Sequence, residues 1–571
     1  MTSLKELYMH QNNLEGPLPA EFGRLPELEQ LWLGGNEGLS GPLPGDLGAL
    51  DQLNVFKAGG TGLCAPAEPE FLAWLDGVRF QRVARCAGAP AVYLTQAVQS
   101  REFPVPLITN RDALLRVFVS SPGAAGESMP NVRATFYHNG VEAHVAEIPR
   151  GHAPIPTQVD EGTFAASANA IIPGGVLRPG LEMVVEIDPE GELDPALGIA
   201  GRIPETGLAA VDVRGLPDFP LTLVPFLYAS NPDRSILALT RAMAADPGGH
   251  EMLRHTRERL PVAALDVTLH APVTTSSESG FSILSEVELI RRMESDGPGY
   301  WLGMKAPVPT VGLLGVAFDI PSWSSYSVPM SSTIAHELGH NLGLYHAPCG
   351  GAGGPDPLFP DRNGRIGSWG YDHTNDRLIT PYAPDLMSYC GGGWIGDYHF
   401  SNALRHRVAT EVEAAASFGG KKRSVLVWGG RDADGKPFLE PALLADALPS
   451  SPPPGGDYRL VGRTAEGVEV FSFTFDMPYI PEVEDERSSF VFAIPVTWSG
   501  ELATISLGDG RTTVRLDNGT DSPITILRDP VTGQVRAILR KDQAAAMDAV
   551  GEPGLVPVFS RGIPEDEVRR R

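Results

Sequence analysis

The stretch HELGHNLGLYH, from His336 to His346, sets three histidines, a glutamate and a glycine at fixed intervals. On an α-helix each residue advances by about 100°, so His336 and His340 leave the same face one turn apart. Two imidazoles so placed reach one zinc ion at roughly 2.0–2.1 Å each. Glu337 points about 100° away and is not a ligand to that ion. Its position suits taking a proton from a water held there. A straight helix would carry His346 too far along its axis. Gly343 can adopt a positive φ and turn the chain, which returns His346 as a third ligand. Three protein ligands leave a fourth position open, the pattern of a catalytic zinc and not of a closed structural one. One zinc per chain is the expected cofactor. A lone histidine on a helix is more often packed or solvated, but five positions specified together are not explained that way. HEMLRH, His250 to His255, is a useful contrast. Its histidines are five apart and diverge by about 140°, so it reads as an ordinary charged helix.

These residues need a helix that is apolar on its other side. Ile334, Leu338 and Leu342 supply that side and are expected to pack into a core. Ser331 or Ser332 is expected to cap the start.

HExxHxxGxxH, here His336-Glu337-x-x-His340-x-x-Gly343-x-x-His346, resembles the metzincin clan of zinc endopeptidases. Metzincins carry a methionine in a tight turn beneath the metal, and DLMSYC at Asp385 to Cys390 resembles that turn, with Met387 as its methionine. Tyr389, two residues on, stands where the astacin-like and serralysin-like branches carry a tyrosine near the zinc. The run DLMSYCGGGWIGDYHF resembles secreted bacterial metzincins joined to β-sandwich modules. The resemblance covers roughly residues 230–416. It implies hydrolysis of peptide bonds in extracellular proteins or glycoproteins. Glu337 would be the base and Tyr389 a catalytic donor, with Met387 packed under the imidazoles. It also implies an edge strand, placed at Gly312 to Ala317, that pairs with the substrate backbone. Two other readings stay open. One is a recognition protein whose zinc domain is structural or inactive. The other keeps the zinc chemistry but cleaves an amide of a cell-wall peptide.

Four cysteines fall into two local pairs, Cys64 with Cys86 and Cys349 with Cys390. An even count with local pairing predicts two disulfides and an oxidising compartment. Four reduced thiols are the alternative; neither pair has the CxxC spacing of a second zinc site. A Cys349–Cys390 bridge would fasten the third-ligand loop to the methionine turn.

Of the 571 residues, 70 are acidic and 45 basic, a formal net charge of −25. That balance argues against nucleic acid and anionic membranes as partners. No apolar run approaches the ~18 residues needed for a membrane span. The opening MTSLKELYMHQNN is polar, unlike a signal peptide. It lies inside a repeat, which implies a natural chain extending upstream or an internal start. Export to an extracellular location is nevertheless expected.

The repeat units begin at Leu4, Leu28 and Leu53 and resemble plant-type leucine-rich repeats with a cysteine-bearing end cap. Residues 1–87 are therefore expected as a short solenoid with a protein or glycan ligand, or as a remnant stub. Residues 88–228 alternate in the period of strands, with an Asn139-Gly140 turn, and are expected as an immunoglobulin-like β-sandwich. A propeptide-like segment is the alternative, but it offers no cysteine or acidic switch that would obviously occupy the zinc. Residues 229–416 are expected as the α+β metzincin domain, closed by a helix to about 416. VGLLGVAF from Val311 reads as a strand, and Asn363-Gly364 as a hairpin rather than a calcium loop. Residues 417–571 read as a C-terminal β-sandwich. Asn518-Gly519-Thr520 is a sequon, meaningful only in a eukaryotic secretory route.

Overall fold

Strands are the commonest regular element of this chain, and few helices interrupt them. The computed structural model describes residues 3–86, 91–124, 126–308, 312–318, 320–412, 419–480, 482–483, 485–498 and 501–564.

At the N-terminus the repeated leucines lie at matching positions of short parallel strands, with Leu7, Leu31 and Phe56 in register. A second ladder joins Glu15–Gly16, Gly38–Pro42, Gly62–Ala65 and Ala84–Arg85. The strands are two to five residues long, and the Cys64–Cys86 disulfide ties the end of the second ladder. These are two small sheets, and no solenoid is evident. From Val92 to Arg214 further small sheets enclose an apolar cluster that includes Leu115, Phe136 and Val185. Asn139 and Gly140 both take positive φ between Val132–His138 and Val141–Ile148, as the turn signal implied.

A nine-stranded sheet positions the histidine helix. Its order runs Gly315–Ala317, Ser324–Ser327, Tyr300–Met304, Phe219–Tyr228, Val273–Thr275, Val535–Leu539, Ile524–Arg528 and Val556–Ser560, with Leu265–Leu269 also paired to Phe219–Tyr228. Gly315–Ala317 is its antiparallel edge strand. One apolar cluster gathers Ile334, Leu338 and Leu342 with Leu223, Leu302 and Met304 of the sheet. Another joins the Gly280–Glu294 helix to strands of the C-terminal region through Ile283, Val287, Trp428 and Val491.

The expected architecture was a leucine-rich-repeat solenoid, an immunoglobulin-like sandwich, an α+β metzincin domain and a C-terminal sandwich. It is not the one adopted. The chain is divided among many small sheets, and strands pair across the expected divisions. Val98–Gln99 adds to Trp369–Asp372. Val535–Leu539 adds to Val273–Thr275, so the last strands extend the central sheet. A period of two reveals that a segment is a strand but not which strand it will pair with.

Smaller expectations also shift. The edge strand is Gly315–Ala317, shorter than expected, and Val311 lies outside the described residues. Asp361 to Gly364 forms a turn, and the nearby hairpin is Trp369–Asp372 with Arg377–Ile379. The closing helix spans Asp397–Arg407 and continues as a π-helix to Val412; residues 413–416 are outside the described set. Among the described residues no helix is long and apolar enough to cross a membrane.

Candidate metal centre and active site

The helix runs Ser331–Asn341 with Ile334, Ala335 and Leu338 buried. Its N-cap is Met330, and no side chain caps it. The expected serine cap is absent because Ser331 is already inside the first turn, where its Oγ accepts from the His255 backbone N–H. His250 and His255 take no part in the histidine cluster.

His336, His340 and His346 come together. Their Nε2 atoms form a triangle with edges of 3.1, 3.2 and 3.2 Å. Each ring is oriented from its other nitrogen. Nδ1 donates to a backbone carbonyl in every case: Leu386 for His336 at 3.0 Å, Leu344 for His340 at 2.7 Å, Gly353 for His346 at 2.7 Å. That tautomer leaves three Nε2 lone pairs aimed at one point. Burial and the neighbouring rings depress the basicity of His336, and likewise hold His346 at about 3. A triangle of this edge has its corners about 1.8 Å from its centre, so it suits an ion held at the ~2.0–2.1 Å typical of zinc and imidazole. The donor set therefore fits a metal ion.

Gly343 makes the third histidine available. Its φ is +82°, and the Gly343 and Leu344 N–H groups bond back to His340 and Gly339 as the helix ends. A Cβ at 343 would also approach an Arg79 guanidinium nitrogen from the N-terminal region to 2.8 Å. After the turn, Ala347 N–H donates to the Met387 carbonyl and Asp356 N–H to His346, which seats the loop on the methionine turn.

Met387 is fully buried below the helix. Its sulfur lies so close to Gly339 that a Cβ there would come within 2.6 Å of it. The Cys349–Cys390 disulfide, with Cα atoms 5.7 Å apart, joins the third-histidine loop to the methionine turn. The Tyr389 ring centre is 4.8 Å from that of His346 and 5.9 Å from that of His336, and the residue is 45% exposed.

Glu337 faces a cleft of about 1300 Å³ that His336, Tyr389 and Gly315 also line. Its Oε2 is buried without a hydrogen-bond partner. Burial, and then the Glu482 carboxylate, hold its carboxyl well above the usual range. A Cβ at Gly315 would overlap the Glu337 carboxylate, so a side chain there would displace it.

Sequence reasoning missed several contributors. Gly339 and Gly315 are revealed only by close approach. Asp385 and His399 lock the methionine turn, yet each reads as an ordinary polar residue. Glu482 lies in an acidic loop, PEVEDER, that reads as solvated; its side chain is 3% exposed and its Oε1 is 2.8 Å from His340 Nε2. Cys64 and Cys86 are bonded to each other in the N-terminal ladder.

Residues 324–392 match the family model described as Peptidase M66. The matched segment begins at the strand before the helix and ends just past the methionine turn. No curated protein matches the chain. The family match and the histidine group together support a metalloprotease.

Proposed function

We propose that this chain is a zinc endopeptidase of the metzincin type, exported to an oxidising compartment, that cleaves extracellular proteins or glycoproteins. One observation carries the reading: three imidazole Nε2 atoms converge beside Glu337, which lines a cleft and whose buried Oε2 has no hydrogen-bond partner among the described residues. A purely structural site has no use for Glu337. Export is supported by the two disulfides.

His336, His340 and His346 would hold the zinc. When bound, it supplies a Lewis acid that polarises the scissile carbonyl and lowers the pKa of a water toward ~7. Glu337 takes the proton of the attacking water and returns it to the leaving amine. Tyr389 donates its hydroxyl to the developing oxyanion. Gly315–Ala317, at the sheet edge, is placed to pair with an extended substrate backbone. Met387 binds nothing and supports the helix from below.

The N-terminal ladders brace this site. Arg82 pairs with Asp397 at 3.0 Å, and Lys57 Nζ donates to the Pro357 carbonyl at 2.8 Å. They are therefore read as support for the peptidase rather than as a separate ligand-binding module.

The deciding experiment compares wild type with Glu337→Gln on a protein panel that includes mucin-like glycoproteins, with zinc measured in both. About one zinc per chain in each, and hydrolysis only by wild type, is expected. A wild-type chain that takes up no zinc on reconstitution would end the reading.

A further inference from the structure

The loop between the Glu469–Phe475 and Ser488–Pro495 strands enters the cleft, and it carries Glu482. Glu482 Oε1 stands 2.8 Å from His340 Nε2. Glu337, His340 and Glu482 present ligand atoms that all lie within 4.8 Å of one another. The Glu482 side chain is 3% exposed, and among the described residues neither of its oxygens accepts a conventional hydrogen bond.

That contact is attractive by itself only if His340 carries a proton on Nε2. The Nδ1 atom of His340 already donates to Leu344, and its Nε2 faces the Nε2 atoms of two other rings. The Glu482 oxygen and the His340 Nε2 lone pair thus meet with no donor between them, beside the two other ring nitrogens that face His340. Buried acceptors so arranged repel unless a cation lies between them. Three imidazole nitrogens and one carboxylate oxygen are a donor set suited to a dication.

The loop is seated by its own side chains. Ile480 is buried, and Val483 packs against the cluster formed by the Gly280–Glu294 helix and the C-terminal strands. Ser488 Oγ donates to the Pro478 carbonyl across the loop's neck at 2.6 Å. Tyr479 covers Gly354, beside the Gly353 carbonyl that orients His346. The same loop therefore contacts the third-histidine segment and points a carboxylate at His340.

Given the three-histidine zinc site proposed for this chain, on which the role of Glu482 depends, we infer that Glu482 is a fourth ligand to the metal. It is supplied by the C-terminal region, and its carboxylate occupies the position a substrate carbonyl must take. The resting enzyme is then self-blocked. Substrate must displace Glu482 before the chemistry can begin, so the segment after the peptidase match tempers its activity.

The test uses the full chain as wild type, Glu482→Gln and Glu482→Ala, each loaded with zinc or cobalt(II) and checked by thermal melting. Four readouts apply: the visible spectrum of the cobalt form, the rate of zinc loss to a chelator, the affinity for a small hydroxamate, and the rate of peptide hydrolysis. If the carboxylate occupies the site nine-tenths of the time or more, its removal should tighten hydroxamate binding on the order of tenfold or more. The cobalt spectrum should change, and zinc should leave faster. Peptide hydrolysis should rise in both variants. Identical spectra and chelation rates in wild type and variants would overturn the inference while leaving the three-histidine site intact. A fall in turnover with unchanged metal retention would also overturn it, and would make Glu482 a catalytic group. Failure of wild type itself to hold metal would remove the site reading, and this inference with it.

Discussion

The Asp385 carboxylate and the His399 imidazole meet at 2.8 Å, both buried, beneath the methionine turn. The same carboxylate accepts the N–H of Met387 at 2.9 Å and that of Gly396 at 3.0 Å. One side chain thus joins the turn to the start of the Asp397–Arg407 helix, which carries His399.

Asp385→Asn should break this junction. Both carboxylate oxygens accept, so either orientation of the amide turns an NH₂ toward a donor. The cost should be about 1–3 kcal/mol for buried groups left unpaired. Met387 and the Leu386 carbonyl that orients His336 sit in the same turn, so zinc should also be released faster. Thermal melting and chelator competition check both; an unchanged melting temperature would show that the junction contributes nothing.

Gly315→Ala should separate catalysis from metal binding. The new Cβ would displace the Glu337 carboxylate, and the atoms nearest to it all belong to Glu337. Turnover should fall by roughly 10²-fold, in line with a misplaced general base, while zinc content stays at wild-type level. Equal loss of zinc and activity would point to a general collapse of the edge strand.

Tyr389→Phe keeps the ring near His346 and removes only the hydroxyl. A donor to the oxyanion acts mainly in the transition state, so kcat should drop on the order of 10²-fold with little change in KM. If kcat, zinc content and melting temperature all match wild type, Tyr389 only packs.

Glu286 gives a pH dependence away from the metal. Burial raises its carboxyl from 4.5 to about 7, against the opposing pull of the Ser277 and Thr275 hydroxyls. Below pH 4.5 the folded and unfolded chains both hold the proton, and its contribution is complete. As pH rises toward 7 the unfolded chain has lost the proton while the folded chain keeps it, so this contribution declines and is gone above that range. Glu286→Gln has no proton to lose. Its stability relative to wild type should therefore climb between pH 5 and pH 8 by about 3 kcal/mol. Denaturant titrations of both proteins across that range measure the slope. A constant offset would mean that Glu286 does not titrate there.

The histidine spacing was legible in the sequence because a helix converts positions four apart into one face, and Gly343 marks where it must turn. These are local rules that need no knowledge of the rest of the chain. The pairing of the cysteines was legible for a similar reason, since both bridges are short in sequence. The fold class was not. Strand periodicity is local, but Val535–Leu539 finds Val273–Thr275 only through packing between distant segments. Gly315, Gly339 and Asp385 acquire meaning only when Glu337, Met387 and His399 lie against them. Glu482 is the extreme case. In the sequence it is one acid among several in a charged loop. Burial of Ile480 holds that loop in the cleft, and only there does its carboxylate meet His340. Residue type and spacing determined which chemistry the chain could carry; close packing between remote segments decided which groups share the site.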